Sequence, residues 1–317
     1  MQKFILHLSF GQILLLIIFW KPLSIIKKEK EDGEAYKLAN QFKQRVVTSS
    51  VTIFLVIISI YFSHVPYFKP IFVLLNAAII SLALLEYYQL AHYKGFQPLN
   101  LLGVGTTTAY VISSFYAGQE PNLSDLPLFV LLGCLLLFFL AYFNKQLEPL
   151  GNIAVNLFGI GYVVIPLTCA LQINYFSSPH ITDGRLWLAY ALAVTKMTDV
   201  GGYISGKIFG KIKLASHISP KKTIEGSIGG LILSLLTSLA FYYFVFPFKH
   251  PISFWQSIWL GIVISVLSQF GDLSESILKR DAGVKDSSQL PGLGGILDMT
   301  DSLVFTLPLV YLWLKVS

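Results

Sequence analysis

The sequence predicts an all-α fold: a polytopic integral membrane helical bundle of about ten transmembrane helices. Two observations carry that prediction. Of 317 residues, 54% are hydrophobic and 13% are charged, against a charged share of roughly 25% in soluble domains. The apolar residues also come in long runs rather than short periodic stripes, and runs of about 18 or more read as membrane helices.

The runs occupy 4–20, 46–63, 70–90, 99–116, 126–143, 152–171, 186–204, 226–246, 254–269 and 296–313. The seventh is the most polar, because Lys196 and Asp199 interrupt it. Trp20, Trp187, Trp255 and Trp313 fall at run ends, where interfacial aromatic side chains belong. The first run lacks a heavy basic flank before it and a small-residue cleavage site after it. KPLSIIKKEKEDGE, which follows, looks like a stop-transfer flank, so an uncleaved anchor is expected rather than a signal peptide. The stretch 27–44 reads as a charged linker, helical or disordered.

The net charge of +6 does not point to nucleic acid, since the basic residues are not gathered on a soluble module. Basic loops facing anionic headgroups account for the sign. With the N-terminus outside, the inside loops carry 17 Lys and Arg and the outside segments carry five, a strong positive-inside bias. That orientation puts both polar loops of the C-terminal third in the cytosol. Cys134 and Cys169 lie within apolar runs and read as buried small hydrophobes. The six histidines show no paired spacing. No internal repeat is visible, which weakens a transporter reading.

Carboxylates concentrate toward the C-terminus: eight of 17 lie between Asp199 and Asp301, and six of those fall within 272–301. Acids this close to membrane spans are costly and usually functional. Asp298 and Asp301, at i and i+3, share a helical face and repel unless a cation sits between them. Hard oxygen donors of this kind suit Mg²⁺. The pair equally fits a helix start stabilised through its dipole. Asp272, Ser276 and Lys279, at i, i+4 and i+7, lie on one face of a helix continuing out of the ninth run, and Arg280 and Lys285 follow. Acids for metal alternating with bases for phosphate is what phosphoryl or nucleotidyl transfer needs. A solvated loop laced with ion pairs is the alternative.

Pro291 to Gly295 forms a glycine-rich approach to the acidic helix start, able to offer backbone N–H groups to an anion. Upstream, Thr223 reads as a helix N-cap with Glu225 in the first turn, and Lys221 and Lys222 stand just before it as an anion site. Gly226, Gly229 and Gly230 read as close helix packing. Lys196 and Asp199 read either as an intramembrane ion pair lining a polar cavity or as a substrate-positioning couple.

The segment from Ser276, S-I-L-K-R-x4-K-D-x3-L-P-G-x-G-G-x-L-D-x-x-D-S, resembles the signature of the phosphatidate cytidylyltransferases, also called CDP-diglyceride synthases. SPKKTIEGSIGG and the stretch from Asp199 to Tyr203 with GKIFGK resemble the motifs before it. FKQRVVTS, from Phe42, is similar to the start of such enzymes. The resemblance covers 42–317 and leaves 1–41 as an N-terminal anchor span with a basic linker. The chain departs from the pattern at Leu293 and Met299, where the family often has His and Arg. The stretch between Asp286 and Pro291 is also one residue shorter than usual.

The resemblance implies transfer of CMP from CTP to phosphatidate, giving CDP-diacylglycerol and pyrophosphate. It implies that Asp272, Asp298 and Asp301 hold Mg²⁺, with a second cation, K⁺ or Mg²⁺. Asp272, Lys279, Arg280, Lys285, Asp286, Asp298 and Asp301 are then expected to be catalytic. Ser219, Lys221, Lys222, Thr223, Ser276 and Asp199 are expected to bind substrate. A bacterial-type cytoplasmic membrane is the expected location, and a homodimer is left open. Alternatives are a CTP-dependent polyprenol or dolichol kinase, a CDP-archaeol-type synthase, and a membrane transporter.

Overall fold

The computed structural model describes residues 50–143, 148–179, 181, 183–246, 252–284 and 295–317. The chain divides into two units, Met1–Thr52 and Ile53–Ser317, and the description concerns the second apart from the first residues of one helix. The run at 4–20, the linker at 27–44, Lys285, Asp286, Pro291 and Leu293 lie outside the described residues.

The helices are α1 (Ser50–Phe62), α2 (Lys69–Tyr93), α3 (Asn100–Ala117), α4 (Leu126–Tyr142), α5 (Pro149–Asn174), α6 (Gly184–Phe209), α7 (Ile224–Phe244), α8 (Phe254–Asp281), α9 (Ile296–Thr300) and α10 (Leu303–Val316). Between α6 and α7 stands an antiparallel hairpin, β1 (Lys213–Ala215) and β2 (Ser219–Thr223), and the second strand carries Lys221 and Lys222.

Among the described residues, six helical segments are long and apolar enough to cross a membrane: α2, Pro121–Tyr142, α5, α7, α8 and Ile296–Val316. These six are fewer than the ten expected, the first of which lies outside the described residues. Helices α3 and α6 form where the fourth and seventh runs were expected, but their threonines, serines and charges lower their hydropathy. Helix α1 is a shorter apolar helix.

Local chemistry explains the helix ends. Pro70 stands in the first turn of α2, where its missing N–H costs nothing. The α2 end turns at Gly95, φ 87°, with Phe96 N donating to Ala91 O at 3.1 Å. The α8 end turns in the same way at Gly283, φ 71°, with Val284 N donating to Lys279 O at 3.0 Å. Both need the left-handed backbone that glycine adopts without strain. Ser253 and Gln256 form a capping box at the start of α8.

Helices α6 and α7 pack backbone to backbone. A Cβ on Gly201 would stand 2.6 Å from the Gly229 carbonyl and 3.0 Å from Gly230 Cα, and one on Gly226 would stand 2.8 Å from the Gly202 carbonyl. The glycines of SPKKTIEGSIGG thus serve close packing, as small residues do between membrane helices. Serines add interhelical bonds: Ser234 Oγ donates to Gly261 O and Ser238 Oγ to Ser257 O, both at 2.7 Å.

Hydrogen bonds sort the helix ends into two layers. At one end Tyr175 Oη donates to Ser63 O at 2.8 Å and Arg185 Nη1 to Tyr61 O at 2.9 Å. At the other, Lys94 pairs with Asp281 at 3.0 Å, Gln97 N donates to Asn152 Oδ1 at 2.7 Å, and Arg280 Nε donates to Ile218 O at 3.2 Å. These groupings match the alternation of loops read from the sequence. Trp187 departs from expectation. It is 1% exposed and stacks on Phe246 with ring centroids 4.8 Å apart, so it is core rather than interfacial. Cys134 and Cys169 are buried free thiols, as expected.

Candidate active site

Helices α6, α8 and α9 and strand β2 converge on a cavity of about 260 Å³, lined by Asp199, Lys222, Asp272, Glu275, Ser276, Lys279, Asp298 and Asp301. Asp272, Glu275, Ser276 and Lys279 come from successive turns of α8, so the i, i+4, i+7 spacing does present one face. Asp298 sits in α9, and Asp301 follows at the turn before α10.

Ion pairs knit the lining together. Lys222 Nζ lies 2.9 Å from Asp272 Oδ2. Lys279 Nζ lies 2.8 Å from Glu275 Oε2 and 2.6 Å from Asp298 Oδ1. Asp298 Oδ2 also accepts the Gly295 N–H at 3.1 Å. Deeper in, Lys196 Nζ donates to Asp199 Oδ2 at 3.2 Å, to Met299 O at 2.9 Å and to Ser302 Oγ at 2.9 Å. Ser268 Oγ donates to Asp199 Oδ1 at 3.2 Å. Asp199 is therefore both paired and cavity-lining, as the reading of an ion pair lining a polar cavity expected.

The upstream motif is only partly in the cavity. Strand β2 alternates its side chains, so Lys222 reaches Asp272 while Lys221 is exposed. Thr223 is buried, and its hydroxyl accepts the Gly226 N–H at 3.1 Å as the α7 N-cap. The structure thus brings one lysine, not two, to the site, and Thr223 serves as a cap. Ser219 is half-buried on β2, and Arg280 reaches back to Ile218 rather than lining the cavity.

Two acids escaped the sequence reading. Glu275 is 1% exposed, and its Oε1 has no hydrogen-bond partner among the described residues. Its place between Asp272 and Lys279 on the same helix was a usable signal. Glu86, 8% exposed in α2, accepts the Ile296 and Leu297 N–H groups at 2.9 and 2.8 Å. A lone acid in an apolar run gave only its cost as a signal.

Asp272, Asp298 and Asp301 share the cavity, but among the described residues no three carboxylate, imidazole or thiol groups gather as a metal-ligand set. Each of the three turns to a partner in the protein: Lys222, Lys279, and the Ser302 N–H at 2.6 Å. The donor chemistry nevertheless fits a hard cation. Five carboxylates line the cavity against Lys222 and Lys279, and even with Lys196 added the acids stay in excess by formal charge.

Beside the acidic cavity lies an apolar groove of about 470 Å³, lined by Phe158, Gly161, Tyr162, Ser274, Ile277, Leu278 and Phe305. Its α8 residues interleave with those lining the cavity. The π-helical turn Ile160–Val164 within α5 carries Gly161 and Tyr162 to its edge. Tyr162 lies within electrostatic reach of Glu275, Asp301 and Asp272.

A helical membrane protein with an acid- and lysine-lined cavity next to an apolar groove has the make-up of an intramembrane phosphotransfer enzyme. The chain belongs to the cytidylyltransferase family, whose sequence profile matches residues 43–317. It is 38% identical over 261 residues to a phosphatidate cytidylyltransferase of Synechocystis sp., covering 74% of this chain and 85% of that one. It is 31% identical over 287 residues to a phosphatidate cytidylyltransferase of Chlamydia pneumoniae, covering 86% and 92%. A shorter match, 48% over 130 residues, is to the protein of that name in Staphylococcus haemolyticus, covering 41% and 49%.

Proposed function

We propose that the chain transfers CMP from CTP to phosphatidate, giving CDP-diacylglycerol and pyrophosphate for phospholipid synthesis. The observation that carries this reading is the adjacency of two cavities along α8. One is rich in acids and lysines and suits a polyphosphate with its cation, and the other is apolar and suits a lipid chain. A phosphatidate phosphate oxygen attacks the α-phosphorus of CTP, the bond to the β-phosphate oxygen breaks, and pyrophosphate leaves with the electron pair. The attacking oxygen is already anionic, so no protein nucleophile is required.

Lys222 and Lys279 neutralise the triphosphate and orient it, and Ser276 donates to a phosphate oxygen. Arg280 would act from the cytosolic rim, as would Ser219 and Lys221, and Lys285 and Asp286 keep the catalytic part that the resemblance implies. Asp272, Asp298 and Asp301 would hold Mg²⁺, with a second cation, K⁺ or Mg²⁺; bound there, the metal shields charge on the attacking and leaving oxygens. Binding it requires Asp272 and Asp298 to exchange part of their lysine contacts for the cation. Asp199 positions Lys196 and the start of α10.

In this reading the site faces the cytosol of a bacterial-type cytoplasmic membrane, with the N-terminus outside, on the strength of the 17-to-five bias of basic residues. The lipid stays in the inner leaflet while CTP arrives from water. Purified protein in mixed micelles with phosphatidate, Mg²⁺ and α-labelled CTP tests the reaction: labelled lipid is expected. Lipid labelled only from γ-labelled CTP would reveal a kinase instead, and no labelled lipid would overturn the reading.

A further inference from the structure

Helix α9 is capped from another part of the chain. A helix start leaves up to about four N–H groups without helical partners. Gly295, at the N-cap position, has no side chain to satisfy them. Glu86 does so instead: Oε1 accepts from Ile296 N at 2.9 Å and Oε2 from Leu297 N at 2.8 Å. The two residues of the first bond are 210 positions apart in the chain. In a membrane interior those N–H groups have no water to turn to, and an ionised acceptor at a helix start gains from the dipole as well.

We infer that Glu86 is a positioning residue for the cavity acids, setting where α9 begins and hence where Asp298 and Asp301 stand. The inference rests on the functional reading above. Three helices grip the segment. Glu86 of α2 holds its first N–H groups, Lys279 of α8 holds Asp298, and Lys196 of α6 holds Met299 O and Ser302 Oγ. Lys279 lines the cavity and Lys196 pairs with the cavity acid Asp199, so substrate or metal must disturb their contacts. Glu86 grips the backbone from behind and stays in place while those contacts change. A second consequence concerns the glycine-rich approach, expected from sequence to offer its N–H groups to a ligand. At Ile296 and Leu297, just past that approach, the anion is the protein's own carboxylate, so these two N–H groups are not offered to substrate.

The test uses the detergent-purified full chain and the Glu86→Gln and Glu86→Asp variants. Gln keeps one acceptor oxygen but turns an NH₂ group toward the other N–H; Asp keeps the charge on a shorter stem. Mn²⁺ binding is read from the electron paramagnetic resonance signal of the free ion, alongside thermal melting and the kinetics of α-label transfer. For Glu86→Gln, Mn²⁺ affinity is expected to weaken about 10- to 100-fold, as for other groups that orient metal ligands. The Mg²⁺ requirement should rise and kcat fall, while KM for CTP and phosphatidate stays within about threefold. Glu86→Asp should recover part of the loss.

Wild-type Mn²⁺ affinity in folded Glu86→Gln would overturn the inference, even with a lowered melting temperature, because Glu86 would then be packing only. If Glu86→Gln does not fold, wild-type Mn²⁺ affinity in Glu86→Asp overturns it, and weakened affinity supports it. A wild-type protein that binds no Mn²⁺ overturns it too. A wild-type protein that binds Mn²⁺ but makes no labelled lipid refutes the functional reading and leaves this one standing.

Discussion

The Lys279 ammonium group lies 2.6 Å from Asp298 Oδ1 and so ties the C-terminal half of α8 to α9. The same group holds Glu275 at 2.8 Å, which makes one cation the hinge pin between two acids. Removing one partner of a buried pair leaves an uncompensated charge, costing about 3–5 kcal/mol. Both side chains here keep some exposure, 14% and 19%, so the lower end applies. Lys279→Met should lower the melting temperature in detergent and abolish label transfer. A variant with wild-type stability and turnover would remove Lys279 from the site.

Asp298→Asn keeps the shape of the side chain and an oxygen able to accept the Gly295 N–H, but removes a charge from the proposed metal set. Losing electrostatic stabilisation of about 3 kcal/mol lowers turnover about 100-fold. Glu275 still pairs with Lys279 in this variant, so melting should fall less than in Lys279→Met, and the size-exclusion profile should stay close to wild type. Near-full activity would show that the metal assignment is wrong.

Lys221 and Lys222 give a paired contrast. Lys222 reaches Asp272 at 2.9 Å, while Lys221 is exposed. Lys222→Ala should raise KM for CTP about tenfold or more, and Lys221→Ala should change it about twofold at most. Equal effects from the two would contradict the strand alternation.

Gly201 packs against the α7 backbone with no room for a side chain. Gly201→Leu should force α6 and α7 apart, at a cost of about 1–3 kcal/mol or more. Reduced yield of folded protein and a lower melting temperature are expected. Gly105, with open space where a Cβ would stand, is the control: Gly105→Ala should melt like wild type.

Asp183, the N-cap of α6, offers a pH test away from the site. Burial opposes its ionisation, but hydrogen bonds from Arg185 and its charge outweigh that and hold the carboxyl below its ordinary value. A depressed folded-state pKa contributes stability above the unfolded value, about 3.9, and loses it as pH falls through the folded one. Wild-type melting should drop across that acid range more steeply than that of Asp183→Asn. Parallel curves would show that the pair contributes nothing.

By itself the sequence determined the membrane class, the helix positions and most of the cavity acids. Each rests on local information: long apolar runs must form helices in lipid to satisfy their backbone, and helical spacing puts Asp272, Ser276 and Lys279 on one face. Basic residues in alternate loops carry the expected orientation. Only the tertiary structure decided which helices meet. That Lys222 rather than Lys221 enters the cavity depends on a short hairpin whose pairing is nonlocal. That Lys196 grips the start of α10, and that Glu86 caps α9, are contacts between residues 106 and 210 positions apart, which no spacing rule reaches. Trp187 looked interfacial because it stands near a run end, yet Phe246, just past the end of α7, covers it. In each case the deciding partner lies on a different element, so the outcome is set by packing and not by local sequence.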